Sequence, residues 1–302
     1  MIKVLDIANY LKKKYIGKNI SIKIPATFDN IKKNSIVFIN KKNVKIKNDI
    51  DALILIPNGF NTNGLKCSFI EVDDPRLSFG KILSKYFLSK KTKKSIHKTC
   101  SIGKNCKINK SVSIGINCVI GDNVSIGANT IINNNVVISD NVIIGDNCYI
   151  KSGTTVGDDG FGFAVDKNQI PVKIPQIGSV VIGSNVEVGS NSNIARGSID
   201  NTTIEDNVKI DDQVHIAHNC YISKNTIIAA GAIFSGSVRI EKNCWIGVGC
   251  TIIQKVVVGE NSTIGIGAIV TKNVKKNTTI VGLNSIEIKS LVRFKNRIKY
   301  GK

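Results

Sequence analysis

From Ile96 onward, a step of six residues lands on an aliphatic side chain at Ile96, Ile102, Ile108, Ile114, Ile120, Ile126, Ile132, Ile138, Ile144, Ile150 and Val156. The pattern resumes at Ile182, Val188 and Ile194. It then shifts register by four residues and runs without a gap from Ile204 to Val270, with Phe234 the one aromatic member. Two residues before each stands a small or β-branched side chain, as at Cys100, Val112, Thr130, Val208, Ala232 and Ser262. A period of six is neither the 3.6 of an amphipathic helix nor the 2 of a simple strand. It suits a solenoid in which each hexad supplies one short strand with two inward side chains and one turn. Three hexads close a coil of about 18 residues, and coils stack at roughly the 4.8 Å strand spacing. Gly, Asn and Asp at the remaining positions supply the corners.

The repeat also explains the cysteines. Seven of the eight (100, 106, 118, 148, 220, 244 and 250) occupy the small inward position, and only Cys67 lies elsewhere. There they act as small hydrophobes. No C-x-x-C pair is present, so no structural zinc site is expected.

The 302 residues carry 42 Lys+Arg against 22 Asp+Glu, a formal charge of +20. That balance invites a nucleic-acid reading, but aromatic residues make up only 6%, which is poor for base stacking. The joint excess of Lys, Asn and Ile matches AT-rich codon usage. We therefore expect no nucleic-acid partner. No run of eighteen apolar residues occurs, so no transmembrane segment is expected. The start lacks the layout of a signal peptide. A cytoplasmic protein follows as an expectation.

The expected fold class is mainly β: a parallel β-helix of hexads with a small N-terminal α/β domain and a short C-terminal helical tail. The expected domains are residues 1–95, 96–284 and 285–302. In the first, helical spacing spans Lys3 to Lys14, and apolar runs cover Ile20–Ile24, Ile36–Ile39, Ala52–Ile56 and Ser68–Val72. Asp74-Pro75 opens a helix predicted from Arg76 to Ser89. Residues 81–98 carry seven Lys and no acid. Between Val156 and Ile182 the hexads stop, and a long loop leaving a regular solenoid is a functional candidate. A smaller excursion marks Ile199 to Asn201. The tail holds Lys289, Arg293, Lys295, Arg297, Lys299 and Lys302 against Glu287, with apolar Ile288, Leu291, Val292 and Ile298 at helical spacing.

The [Ile/Val]-Gly-x-x-x-x pattern, as at Ile114-Gly115, Ile120-Gly121 and Ile144-Gly145, resembles the hexapeptide-repeat acyltransferases. The resemblance implies a left-handed β-helix and a homotrimer with sites between neighbouring prisms.

Chemistry is sparse along the repeats. Of three histidines, His97 lies in the Lys-rich entry, and His215 and His218 sit at outward hexad phases. His215 and His218 have no third His on nearby coils, so no metal is expected. Gly236 lies eighteen residues after His218, one coil on. A neutral His as general base beside an unobstructed backbone N–H as oxyanion donor is the minimum set for acyl transfer. No Ser lies in a strained elbow, so direct attack by a bound amine or hydroxyl is expected.

The runs Val156-Gly-Asp-Asp-Gly-Phe-Gly-Phe-Ala164, Lys173-Ile-Pro-Gln-Ile-Gly178, Ala195-Arg-Gly-Ser-Ile-Asp200 and Ile216-Ala-His-Asn219 are similar to those of the UDP-3-O-(3-hydroxyacyl)glucosamine N-acyltransferases of lipid A biosynthesis. The likeness extends to Asp74-Pro-Arg-Leu-Ser-Phe79. It implies a Gram-negative cytoplasmic enzyme that moves a 3-hydroxyacyl chain from acyl carrier protein to the 2-amino group of a UDP-glucosamine lipid. His218 would be the general base and the Gly236 N–H the oxyanion donor. Phe38, Asn40, Asp159, Phe161, Gln176, Asp200, His215 and Asn219 would contact substrate, with Asp200 orienting the ring or the sugar. No cofactor would be held permanently, since the phosphopantetheine arm of the carrier brings the acyl group. The basic tail would suit that acidic carrier. Departures are visible. Val37–Asn43 lacks the second aromatic of the family's uracil platform. Ala195 stands where relatives have Asp, and Lys255 stands where relatives have a second His. The alternatives are an O-acyltransferase on UDP-N-acetylglucosamine, an acetyl-CoA-dependent sugar acetyltransferase, and a structural β-solenoid. For the last, a flat Thr array would be expected, and Thr is scattered here.

Overall fold

The structure is a computed structural model and describes residues 2–41, 46, 50–88 and 95–282. The tail helix and its basic residues lie outside the described residues. The chain divides into two compact units, Met1–Lys91 and Thr92–Lys302.

In the second unit, three parallel sheets of nine, nine and eight two- or three-residue strands are built from strands that recur one coil apart. Ser113-Ile114 pairs with Ile131-Ile132, and Val119-Ile120 with Val137-Ile138, an offset of eighteen residues. The architecture is a parallel β-solenoid, consistent with a left-handed β-helix. The break after Val156 raises the offset to 38, so the excursion inserts twenty residues into one coil. The excursion near Ile199 leaves an offset of 22 before the regular 18 returns at Thr203–Tyr221. After Val270 the last coil shortens, with Thr263 pairing to Thr279.

Inside, the hexad aliphatics form one continuous buried column from Val112 to Val274, closed at the ends by the partly buried Cys100, Cys106, Ile108 and Ile280. The small inward position has a second role. Cys100, Cys118 and Cys148 lie with Sγ 2.8–3.0 Å from a carbonyl at the next corner, fifteen residues on or 35 across the excursion. Thr130 and Thr154 donate to the same kind of carbonyl from Oγ1, at 2.7–2.8 Å. These inward hydroxyls and thiols thus satisfy corner carbonyls that the ladder leaves unpaired. All eight cysteines are free. Burial pushes the Cys220 thiol up to about 12 and Cys250 up to about 11, which keeps both protonated and inert.

Outside, the corners need a left-handed residue, and Asn fills most of them. Asn105, Asn123, Asn141, Asn207, Asn225 and Asn243 all have φ between 57° and 65°. Asn tolerates this conformation better than other side-chain-bearing residues because its amide bonds locally. A further cap recurs: Asp122, Asp140, Asp146 and Asp206 each accept, through Oδ1, a backbone N–H from the preceding coil at 2.5–2.7 Å.

The first unit is a small α/β fold. Strands run in the order Tyr15–Ile16, Ser68–Val72, Leu53–Pro57, Ser35–Phe38, Ile24–Pro25, all parallel except the first pair. Leu53 and Leu55 pack with Val4, Ile7 and Ile82 on one face, while Ile54 and Ile56 pack with Val37, Phe60 and Phe69 on the other. This two-sided burial is the mark of a parallel sheet. Helix α1 covers Val4–Leu11 and ends at Lys12 in the left-handed region. Helix α2 covers Pro75–Ile82, one residue earlier at its start than the sequence predicts. Asp74 caps it, its carboxylate accepting the Leu77 N–H at 2.9 Å. It gives way to a π-helical turn, Leu83–Phe87, closed by Leu88 N–H to Leu83 O. The α-helix therefore stops well short of Ser89, and no sequence signal marks the wider turn.

Candidate active site

His218 follows the short strand His215-Ile216 and precedes the corner residue Asn219, whose φ is 60°. The ring is half-buried. Its Nδ1 lies 3.0 Å from Asn219 Oδ1. That oxygen also accepts the backbone N–H of Ser198 at 3.0 Å. A backbone N–H can only donate, so the atom facing it is the amide oxygen rather than the nitrogen. In the neutral ring Nδ1 then carries the proton, which leaves the lone pair on Nε2.

Nε2 faces Gly236. A β-carbon at Gly236 would come within 2.6 Å of both Cε1 and Nε2. Only glycine leaves room for the ring in this position. The Gly236 N–H has no acceptor among the described residues. The reason lies one coil on. At the equivalent hexad position, Lys104, Asp122 and Ala128 are capped by an Asp eighteen residues later, whereas Gly236 is followed at that spacing by Gln254, which does not cap it. Coil stacking places Gly236 against the His218 ring, one coil on.

The excursion closes over this point. Gly160 sits so near that a β-carbon on it would lie 2.9 Å from His218 Cβ and 3.3 Å from Gln176 Oε1. Gln176 is 6% exposed, and its Oε1 accepts Ser198 Oγ at 3.1 Å. Arg196 anchors the base of the excursion. Its Nε donates to Gly157 O at 2.6 Å, and its backbone N–H to Asp158 O at 2.9 Å. Asp159 pairs with Lys173 across the loop and lies 3.9 Å from Arg196 Nε. Phe163–Val165 and Pro171–Lys173 form an antiparallel hairpin. Phe161, 87% exposed, leans its ring on Phe163 at 4.9 Å. A groove of about 660 Å³ runs along the preceding coils, lined by Val119, Val137, Ser139, Asp158, Asp159 and Arg196.

Among the expected contacts, His218, Gly236, Gln176 and Asn219 are brought together. Asp159 and Phe161 sit on the same excursion. Asp200 enters through its backbone carbonyl, which accepts Asn219 Nδ2 at 3.4 Å, so the ring is oriented by Asn219 instead. His215 points outward from its strand, and desolvation by its neighbours holds its pKa below the ordinary histidine value. Lys255 is an exposed corner residue whose N–H donates to Gly236 O at 3.0 Å. His97 bonds Thr99 Oγ1 at 2.9 Å. In the first unit, the Phe38 ring packs on Phe79 at 5.0 Å, and Asn40 is exposed. Part of the surrounding loop, including Asn43, lies outside the described residues. Ser198 and Gly160 were not among the expected site residues. The excursion changes the coil offset, so neither can be found by stepping eighteen residues. Among the described residues, no cluster of three His, Cys, Asp or Glu is arranged to hold a metal. Nor is any helix of theirs long and apolar enough to cross a membrane.

Residues 123–158 and 201–236 match the model of the bacterial transferase hexapeptide (six repeats), and residues 237–272 match that of the hexapeptide repeat of succinyl-transferase. No curated protein matches the chain. Solved structures do. The UDP-N-acetylglucosamine acyltransferase of Francisella novicida is 28% identical, with a TM-score of 0.57, over 66% of this chain and 73% of that one. LpxA of Acinetobacter baumannii is 26% identical, with a TM-score of 0.56, over 68% and 80%. A further UDP-N-acetylglucosamine acyltransferase is 25% identical, with a TM-score of 0.57, over 68% and 82%.

Proposed function

We propose that this chain, whose repeats belong to the hexapeptide-repeat acyltransferase family, is an N-acyltransferase. It moves a 3-hydroxyacyl group from acyl carrier protein to the 2-amino group of UDP-3-O-(3-hydroxyacyl)glucosamine. The observation that carries the reading is the His218 ring, held at Nδ1 by Asn219, with its Nε2 edge against Gly236, whose N–H is uncapped among the described residues. In this mechanism the glucosamine amine attacks the thioester carbonyl while Nε2 takes its proton. The oxyanion is held by the Gly236 N–H. Collapse forms the amide and expels the phosphopantetheine thiolate, which recovers the proton from His218. Asn219 holds the ring by Nδ1 throughout, so the proton enters and leaves at Nε2.

The groove between Val119 and Arg196 suits the donor arm or an acyl chain, being apolar along the strands and polar at the excursion. The amine acceptor is favoured by the motifs of residues 156–164, 173–178, 195–200 and 216–219, and by a separate α/β unit ahead of the repeats. The proposal includes a homotrimer, no permanently bound cofactor, and a cytoplasmic setting in a Gram-negative bacterium. A second reading, an O-acyltransferase on UDP-N-acetylglucosamine, is favoured by the names of the similar solved structures. Offering the purified protein 3-hydroxyacyl carrier proteins of several chain lengths with each acceptor separates the two. Transfer to the amine alone supports the first reading, and transfer to the UDP-N-acetylglucosamine hydroxyl overturns it.

A further inference from the structure

The Asn219 carboxamide is held at more than one point. Its oxygen takes two donors, the Ser198 N–H and His218 Nδ1, and its Nδ2 reaches Asp200 O at 3.4 Å. Its own N–H donates to Thr202 Oγ1 at 2.9 Å. Reversing the amide would set two donors against each other at the Ser198 N–H and two acceptors against each other at Asp200 O. The tautomer of His218 therefore depends on where the Ser198 N–H stands.

Ser198 is in turn held by the excursion. Its carbonyl accepts the Ile177 N–H at 2.8 Å, and its hydroxyl donates to Gln176 Oε1 at 3.1 Å. Gln176 is buried, and Gly160 and Gly162 let the backbone of the excursion come close to it: a β-carbon at Gly162 would lie 2.7 Å from its Nε2, and one at Gly160 3.3 Å from its Oε1 and 2.9 Å from His218 Cβ. The Gln176 Nε2 bonds Ile174 O at 3.4 Å. One hydrogen-bonded path thus runs from the buried Gln176, on the returning limb of the excursion, through Ser198 and Asn219, to His218.

We infer that Gln176 and Ser198 are positioning residues: through their side-chain hydrogen bond, the excursion sets the tautomer of His218. This rests on the reading of His218 as general base, yet it concerns the ring alone and can be tested without substrate. The Ser198 hydroxyl matters because it fixes the Ser198 N–H against Asn219, so removing it loosens the lock without deleting a donor to Asn219.

The test is ¹⁵N NMR of the full chain labelled at histidine. Three histidines give three ring-nitrogen pairs, and the His218 pair is the one lost in His218→Gln. The neutral wild-type ring is expected as a single Nδ1–H tautomer. Ser198→Ala and Gln176→Met are expected to move both nitrogens toward the averaged shifts of a tautomer mixture. Ser198→Thr, which keeps the hydroxyl, restores the wild-type spectrum. In the acyl-transfer assay, Ser198→Ala lowers kcat about tenfold at unchanged KM, a fraction of the 10²–10⁴ that a general base contributes. A single unchanged tautomer in folded Ser198→Ala overturns the inference, whatever the assay shows. Should Gln176→Met fail to fold, Ser198→Ala alone decides. A shifted tautomer in a chain without transferase activity supports the inference and removes the proposed function instead.

Discussion

The corner column Asn207, Asn225, Asn243, Asn261 and Asn277 and the column Asn219, Ser237 and Lys255 share one backbone conformation, with φ of 57–61°. Their chemistry differs. In the first, each carboxamide but the last donates from Nδ2 to Oδ1 of the next coil at 3.0–3.2 Å, a ladder in which every amide repeats its neighbour. In the second the ladder never forms. Asn219 turns its oxygen to the His218 ring and the Ser198 N–H, and its successors on the next two coils are not amides. The contrast separates what the solenoid needs from what a site needs. A corner needs a residue that tolerates left-handed φ. A site needs that corner to leave a side chain and a backbone donor free. The same logic applies to the N–H caps: an Asp one coil on satisfies the donor in the early coils, and its omission at Gln254 leaves the Gly236 N–H open.

Four substitutions can break or sharpen this contrast. The largest effect is expected at the site column, where His218→Ala lowers the transfer rate by about 10²–10⁴-fold. Its melting temperature stays at the wild-type value, because a half-buried ring outside the core carries little of the fold; steady-state rates and thermal melts check both. Next is Gly236→Ala, whose methyl displaces the ring and costs about 10²–10³-fold in kcat, again without loss of stability, since Gly236 does not have a positive φ. An active Gly236→Ala enzyme would remove the close approach from the mechanism. At the ladder corner the pattern reverses. Asn243→Ala loses two amide bonds and leaves the left-handed corner to a residue with no side-chain amide to support it, a cost of roughly 1–3 kcal/mol in stability. Its kcat in the acyl-transfer assay stays unchanged. A catalytic defect there without unfolding would mean the two corners are coupled.

The smallest effect concerns His215, on the outer face beside the site. Desolvation holds its pKa below 6.5 in the folded chain. The unfolded chain therefore takes up that proton first, so stability is full above pH 6.5 and declines as pH falls through the lower folded value. A slight fall in melting temperature over that acid range is expected in the wild type and reduced in His215→Gln. An identical fall in the variant would place the acid sensitivity elsewhere.

Much of the solenoid can be read directly from the chain. A two-residue strand shows one side inward and one outward, so Ile at every sixth position must line a common interior, and Asn at the left-handed positions marks the turns. The His218–Gly236 pairing follows from the same arithmetic, because eighteen residues is one coil. The arithmetic fails where the coil is interrupted. Ser198 meets Asn219 across 21 residues and Gln176 across 22, offsets that exist only because two excursions lengthen their coils. The first unit has no repeat at all. That Phe38 lies against Phe79 depends on how a helix crosses a sheet, over a separation that no local pattern reports.

The sequence by itself therefore determined the repeat, its interior column, its corners and the coil that holds His218. These are local choices copied along the chain, and stacking turns each copy into the same contact. Which nitrogen of His218 bears the proton was decided only by the tertiary structure. So were the seating of the excursion through Gln176 and Ser198, the opening of the Gly236 N–H, and the packing of Phe38. Each depends on atoms distant in sequence that meet once, with no repetition to announce them.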